Sequence, residues 1–145
     1  MGRVAAGVRS IAVGIAIAVI AAGCSPFPVV ASPLVSGSQW HVVALDEEST
    51  VGLELILTFI GESATLSSRC GASSGEVNVE AEGHGVRFGA LEGPKGDPIC
   101  PDEAVELHTR VAAALQGVER WESVGSTIEL HGDQVIRLRS QATDT

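Results

Sequence analysis

Four histidines and three cysteines are the residues of this chain best suited to chemistry, and their spacing limits which chemistry is open to them. His41, His84, His108 and His131 stand far apart, and none falls in a His-x-x-x-His or comparable pattern that would aim two metal ligands at one point. His84 and His131 sit in glycine-bearing turns. His108 lies at the edge of a helix's apolar stripe, which predicts a partly buried, hydrogen-bonded imidazole in preference to a general base. Ser67, Ser68, Ser73 and Ser74 lack the Gly-x-Ser-x-Gly elbow that would present a nucleophile. Glu76, Glu80 and Glu82 share the outward face of one strand and could meet a cation or a basic partner, although a solvated strand face accounts for them. Lys95 stands between Gly93 and Gly96, without a P-loop's length or its Ser/Thr. No catalytic, metal or cofactor residue is assigned, and a non-enzyme is expected.

The cysteines lead elsewhere. Arg3 and Arg9 precede thirteen uncharged residues, Ile11 to Gly23, a run too short for a spanning helix of about 20 residues and shaped like a signal peptide. The run's end, Ile20-Ala21-Ala22-Gly23-Cys24-Ser25, resembles a bacterial lipobox, which implies cleavage before Cys24 and acylation of that residue, palmitate included. Ala21 stands where a bulkier aliphatic is commoner, so ordinary signal-peptidase cleavage stays open, as does an uncleaved anchor. Cys70 and Cys100 then remain as an even pair in an exported chain, and a disulfide is expected. A two-cysteine metal site is the rival, with His84, Asp97 and Asp102 as weak additional ligands.

Export leaves one domain's worth of chain: 1–23 as signal peptide, 24–35 as a Pro/Ser-rich tether, 36–139 as the folded domain and 140–145 as a frayed tail. The mature chain carries 7 basic and 18 acidic residues, a formal charge of −11. Nucleic acid is excluded as a natural partner, because phosphate binding needs basic patches and the one lysine here is Lys95.

Hydrophobic alternation predicts strands at 39–45, 51–60, 64–69, 76–82, 86–91, 118–121, 127–130 and 135–139, with Cys70 to Gly75 as a turn-rich loop. Trp40, Val42 and Ala44 share one face of the first. Val51 to Ile60 is apolar on nearly both faces toward its end, which suggests a central or covered strand. One helix is predicted over Pro101 to Gln116. Pro101 opens it, Asp102 and Glu103 favour its N-terminal dipole, a Glu106–Arg110 pair supports it and a left-handed Gly117 ends it. Its stripe of Ala104, Leu107, Val111, Ala114 and Leu115 needs a sheet to cover. The expected fold is α+β: a small antiparallel, barrel-like sheet of about eight strands with one inserted helix over an opening. Ala104, Ala112, Ala113 and Ala114 could leave a cavity beneath that helix.

Gly37 and Trp40, Leu57-Thr58-Phe59, Cys70 before Gly75, Cys100 before the helix, then Ala114-Leu115, Val118, Trp121, Gly125, Ile128 and Leu130 stand in an order and spacing that resembles the META domain, the HslJ-like family of bacterial envelope lipoproteins. The resemblance covers about residues 36–139. Arg69-Cys70-Gly71 and Asp97-Pro98-Ile99-Cys100 depart from the family's usual Gly-Cys-Asn and Thr-x-Met-Ala-Cys, so nothing tied to that asparagine or threonine carries over. The resemblance implies a barrel-like domain without established catalysis, associated with envelope stress or drug tolerance. The expected function is a non-catalytic binding or interaction module, lipid-anchored through Cys24 on the outer face of the cell membrane, with an envelope protein as partner. The alternative is a carrier of a small apolar ligand or lipid held between helix and sheet.

Overall fold

A computed structural model describes Gly2 and residues 31–93 and 100–141; the rest of the segment read as signal peptide, with Cys24 and Lys95, lies outside the described residues. The strands are β1 (Gln39–Leu45), a two-residue β2 (Glu48–Ser49), β3 (Ile56–Ile60), β4 (Ser63–Ser68), β5 (Gly71–Val79), β6 (Val86–Phe88), β7 (Arg120–Val124), β8 (Thr127–His131) and β9 (Val135–Ser140), with helix α1 (Asp102–Gln116) between β6 and β7. Eight of them follow one another in the order β6-β5-β4-β3-β1-β9-β8-β7, every pairing antiparallel, while β2 only flanks β1. The two edges of this sheet meet. Gly85 bridges to Arg120, the Val86 N–H donates to the Glu119 carbonyl at 3.2 Å, and the Trp121 N–H donates to that of His84 at 2.9 Å. The His84 imidazole completes the seam through Nδ1, 2.9 Å from the Trp121 carbonyl, with its ring 4.5 Å from the indole. A nearly closed barrel removes the open edges that would otherwise recruit other strands.

Inward residues fill the barrel. Leu55, Leu57, Leu66, Leu115, Leu130, Ile136 and Leu138 are fully buried, and Trp121, Phe59 and Val42 nearly so. Trp40 and Trp121 are core residues. α1 lies over one mouth of the barrel, near the end of β4 and the start of β5. At the opposite mouth, Leu34 of the segment read as tether is 3% exposed, and Ala31 bridges to Glu82 just beyond β5.

Several local expectations give way to tertiary constraints. Val51–Leu53 forms a 3-10 turn, not strand, and Glu54 after it is left-handed, so the strand begins only at Ile56. That strand is central, paired between β1 and β4, although its outward face is not covered at Ile60, which is exposed. In β1 a register shift between Val42 and Ala44 rotates the chain, so that Leu45 is buried in place of Ala44; Thr50 fills the gap by donating to the Val42 carbonyl. Of the Cys70–Gly75 stretch only Cys70 lies in the turn; Gly71–Gly75 is the first half of β5 and not a loop, whereas Glu80 and Glu82 fall beyond that strand's end. Gly75 is needed there because a Cβ would stand 2.5 Å from the Ala90 carbonyl oxygen. β6 ends at Phe88, with Ala90 exposed and Leu91 buried. Pro101 precedes the helix, Gly117 is right-handed, and Arg110 pairs with Glu48 across to β2 in preference to Glu106.

Where the chain leaves α1, the Gly132 turn presses on it: a Cβ there would lie 2.6 Å from the Gly117 carbonyl carbon and 2.9 Å from the Val118 nitrogen. Backbone cannot yield as a flexible side chain does. Gly132→Ala is therefore expected to destabilise the domain by about 1–3 kcal/mol. Gly52→Ala, which meets open space, should change stability by less than about 0.5 kcal/mol. Parallel thermal melts of the two variants check this, and equal melting temperatures would contradict it.

Candidate functional site

The helix is seated by a polar contact inside an apolar layer. His108 is fully buried at the centre of the face that α1 turns to the barrel, flanked by Val111, Ala112 and Leu115. Its Nδ1 lies 2.7 Å from the Ser68 hydroxyl at the end of β4, and its Nε2 lies 3.0 Å from the Ser73 hydroxyl on β5. Ser68 also accepts the Cys70 N–H at 3.1 Å. A neutral imidazole has one donor and one acceptor nitrogen, and a hydroxyl serves either, so both ring nitrogens are satisfied without charge. Burial holds the imidazole below its ordinary pKa of 6.5, with no charged neighbour contributing to the shift. The expected hydrogen-bonded histidine is thus present, and more deeply buried than its place at the stripe's edge suggested. Its partners lie 40 and 35 residues away and were not identified from sequence.

Just before its first turn the helix is held covalently. Cys70 and Cys100 form a disulfide with Cα atoms 5.4 Å apart, tying the residue before Pro101 to the β4–β5 turn. Both sulfurs are therefore bonded to each other and not free for metal.

Outside this sealed contact lies a groove between α1 and the segment from Glu48 to Leu53. One hollow of about 500 Å³ is bordered by Glu48, Thr50, Glu103, Glu106, Leu107 and Arg110. It adjoins a second, of about 370 Å³, bordered by Arg69, Cys70, Cys100 and Pro101, and Gly52, Leu53 and Ala104 belong to both. Leu53, Ala104 and Leu107 give the groove its apolar surface, and Glu48, Glu103, Glu106, Arg69 and Arg110 border it. Arg110 closes over one end by pairing with Glu48 at 2.9 Å; that contact lowers the Glu48 pKa and raises that of Arg110.

The other candidate residues do not gather at this groove. His84 belongs to the barrel seam, while His131 ends β8 with Nε2 3.2 Å from a Glu122 carboxylate oxygen. His41 pairs opposite Ile56 and Arg139 in the sheet. Ser67 leans on the Ile56 carbonyl and Ser74 on Thr65. Among the described residues no three His, Cys, Asp or Glu side chains are arranged to hold a metal ion. Ala112 and Ala114 are buried and Ala113 points to solvent, small side chains that let the helix sit close to the barrel. Of the four alanines expected to leave a cavity, Ala104 borders the two hollows described above, and that open space lies beside the helix.

No family model matches the chain, and neither does any curated protein. Two solved structures share its fold. A DUF4847 family protein from Bacteroides vulgatus superimposes with a TM-score of 0.57 at 13% identity, over 77% of this chain and 97% of that one. A protein from Burkholderia xenovorans, determined by NMR, superimposes with a TM-score of 0.58 at 18% identity, over 83% and 94%. At such identities the likeness extends to the fold alone.

The buried imidazole makes stability depend on pH. An unfolded histidine takes up a proton near pH 6.5, which the folded His108 refuses until a lower pH, so stability should fall as pH drops below about 6.5 and level off beneath the folded value. The slope from this one group reaches at most about 1.4 kcal/mol per pH unit. Asp46, Glu48 and Glu122 also have lowered values, from 3.8, 4.5 and 4.5, and act only in a more acidic window. Denaturant titrations between about pH 5 and 7.5 should show the loss in the native protein and a flatter profile in His108→Gln. An unchanged slope in the variant would assign the effect elsewhere.

The disulfide gives a second test. Replacing both cysteines by alanine should cost about 3–4 kcal/mol for a closed loop of this size, measured by denaturant midpoint. Alkylation of Cys70 or Cys100 in the folded, unreduced protein would contradict the pairing.

Proposed function

We propose that this chain is a lipid-anchored, META-like envelope protein that works as a non-catalytic interaction module, and that α1 with the Glu48–Leu53 segment is its recognition face. The observation that carries the proposal is the groove itself: an apolar surface of Leu53, Ala104 and Leu107 beside acidic side chains, on a barrel whose interior is filled. Charge complementarity commits the occupant. Beyond the Glu48–Arg110 pair, Glu103 and Glu106 border the groove on a chain whose mature net charge is −11, so the matching partner is a basic protein segment carrying an apolar anchor. The Ser68–His108 pair, which in an open cleft would suggest a nucleophile and base, is sealed under the helix, and this supports a structural role for it.

The lipobox resemblance at Cys24 and the paired cysteines support an oxidising, extracytoplasmic location at the membrane. A second reading rests on the hollow at the disulfide, bordered by Leu53, Cys70, Cys100, Pro101 and Ala104, whose size suits a small apolar ligand.

Selection of a random peptide library on the oxidised domain tests the first reading. Enriched peptides should combine Arg or Lys with an aliphatic or aromatic anchor, and they should lose affinity at least about tenfold (about 1.4 kcal/mol) against Leu107→Glu. Enrichment of acidic peptides, or affinity indifferent to Leu107, would reject the groove. Native mass spectrometry of the same protein separates the second reading, which requires a bound apolar species released on denaturation.

A further inference from the structure

The geometry points to a fixed orientation on the membrane, in which the barrel mouth closed by Leu34 rests on the lipid surface and the helix-capped mouth faces away from it. This deepens the proposed function and rests on its membrane attachment. β5 sets the axis: it starts beside Cys70 at the helix end and runs to Val79, and Ala31 bridges to Glu82 just past its other end. The chain therefore enters the domain at the mouth opposite α1.

Length then excludes the reverse orientation. Six residues, Ser25 to Val30, separate the expected acylation site Cys24 from Ala31, and those seven residue-to-residue steps reach at most about 25 Å when fully extended. A domain of about 105 residues has a radius of gyration near 13 Å and is roughly 33 Å across. With the helix-capped mouth turned squarely onto the bilayer, Ala31 would stand about a full domain width from the surface, farther than the tether reaches. The same limit applies if the apolar run Ile11–Gly23 is itself the anchor, because it ends at the same point in the chain.

The entry mouth also has a surface that suits lipid contact. Val35 and Ile60 are 57% and 64% exposed, on segments joined where the Gly61 N–H donates to the Ser36 hydroxyl at 2.7 Å and the Gly37 N–H to the Phe59 carbonyl at 2.6 Å. Glu62 and Glu80 border the adjoining hollow and repel anionic headgroups, so contact here depends on the tether and on neutral lipid, not on charge attraction.

Photoreactive side chains placed singly at positions 35, 60, 51 and 109 of the full chain, expressed in bacteria and irradiated in intact membranes, read the orientation directly. All four positions are exposed, 35 and 60 at the entry mouth, 51 and 109 beside the helix. Lipid adducts are expected to be several-fold more abundant at 35 and 60. Equal or greater labelling at 51 and 109, in protein that fractionates with membranes, overturns the orientation alone. Absence of the native chain from the membrane fraction overturns attachment and orientation together. A Cys24→Ser variant that stays on membranes with the same bias upholds the orientation and removes acylation as its cause.

Discussion

The seating of α1 on the barrel is the constraint on which the rest of this structure depends. A small antiparallel barrel with one mouth uncovered would expose Val86, Ile136 and their neighbours, and the helix hides them by crossing that mouth with Val111 and Leu115 turned inward. Apolar packing alone sets no unique rotation of a helix about its axis. His108 does, because its two nitrogens must meet Ser68 and Ser73 together or leave buried polar atoms unpaired, at about 1–3 kcal/mol each. The disulfide fixes the axial position of the same helix from one end, and the Gly117–Gly132 approach fixes it from the other.

This arrangement separates two kinds of surface. Inside, the His108 imidazole is matched to two neutral hydroxyls within a layer of packed apolar side chains. Outside, the 3-10 turn and the left-handed Glu54 hold the Glu48–Leu53 segment away from α1, so a groove persists there. Glu54 is braced by Arg69, 3.3 Å away, on the strand that leads into the disulfide turn. The groove is thus supported by the same elements that seat the helix, and its shape should change little on binding.

The architecture was legible in the sequence wherever one face of an element is buried and the other wet. β8 and β9 follow a period of two because Ile128, Leu130, Ile136 and Leu138 all point inward. The first half of β5 was not legible, for a physical reason. Ser73 is turned inward to serve a histidine, and Gly75 is small because Ala90 presses on it, so residues that usually signal a turn lie in a paired strand. The bulge in β1 likewise moves the buried position from Ala44 to Leu45 without any local signal. The candidate groove was hidden for a related reason, since its walls come from segments about fifty residues apart whose separation depends on the 3-10 turn.

Native-state hydrogen exchange of the oxidised protein is the most direct measurement of whether the helix is a permanent cap. If it is, the amides of residues 108–115 exchange only through global unfolding, with the same free energy as those of β8 and β9. Exchange of the helix through a separate opening, at a clearly lower free energy than the strands, would contradict the account and make α1 a lid over a chamber that can be entered.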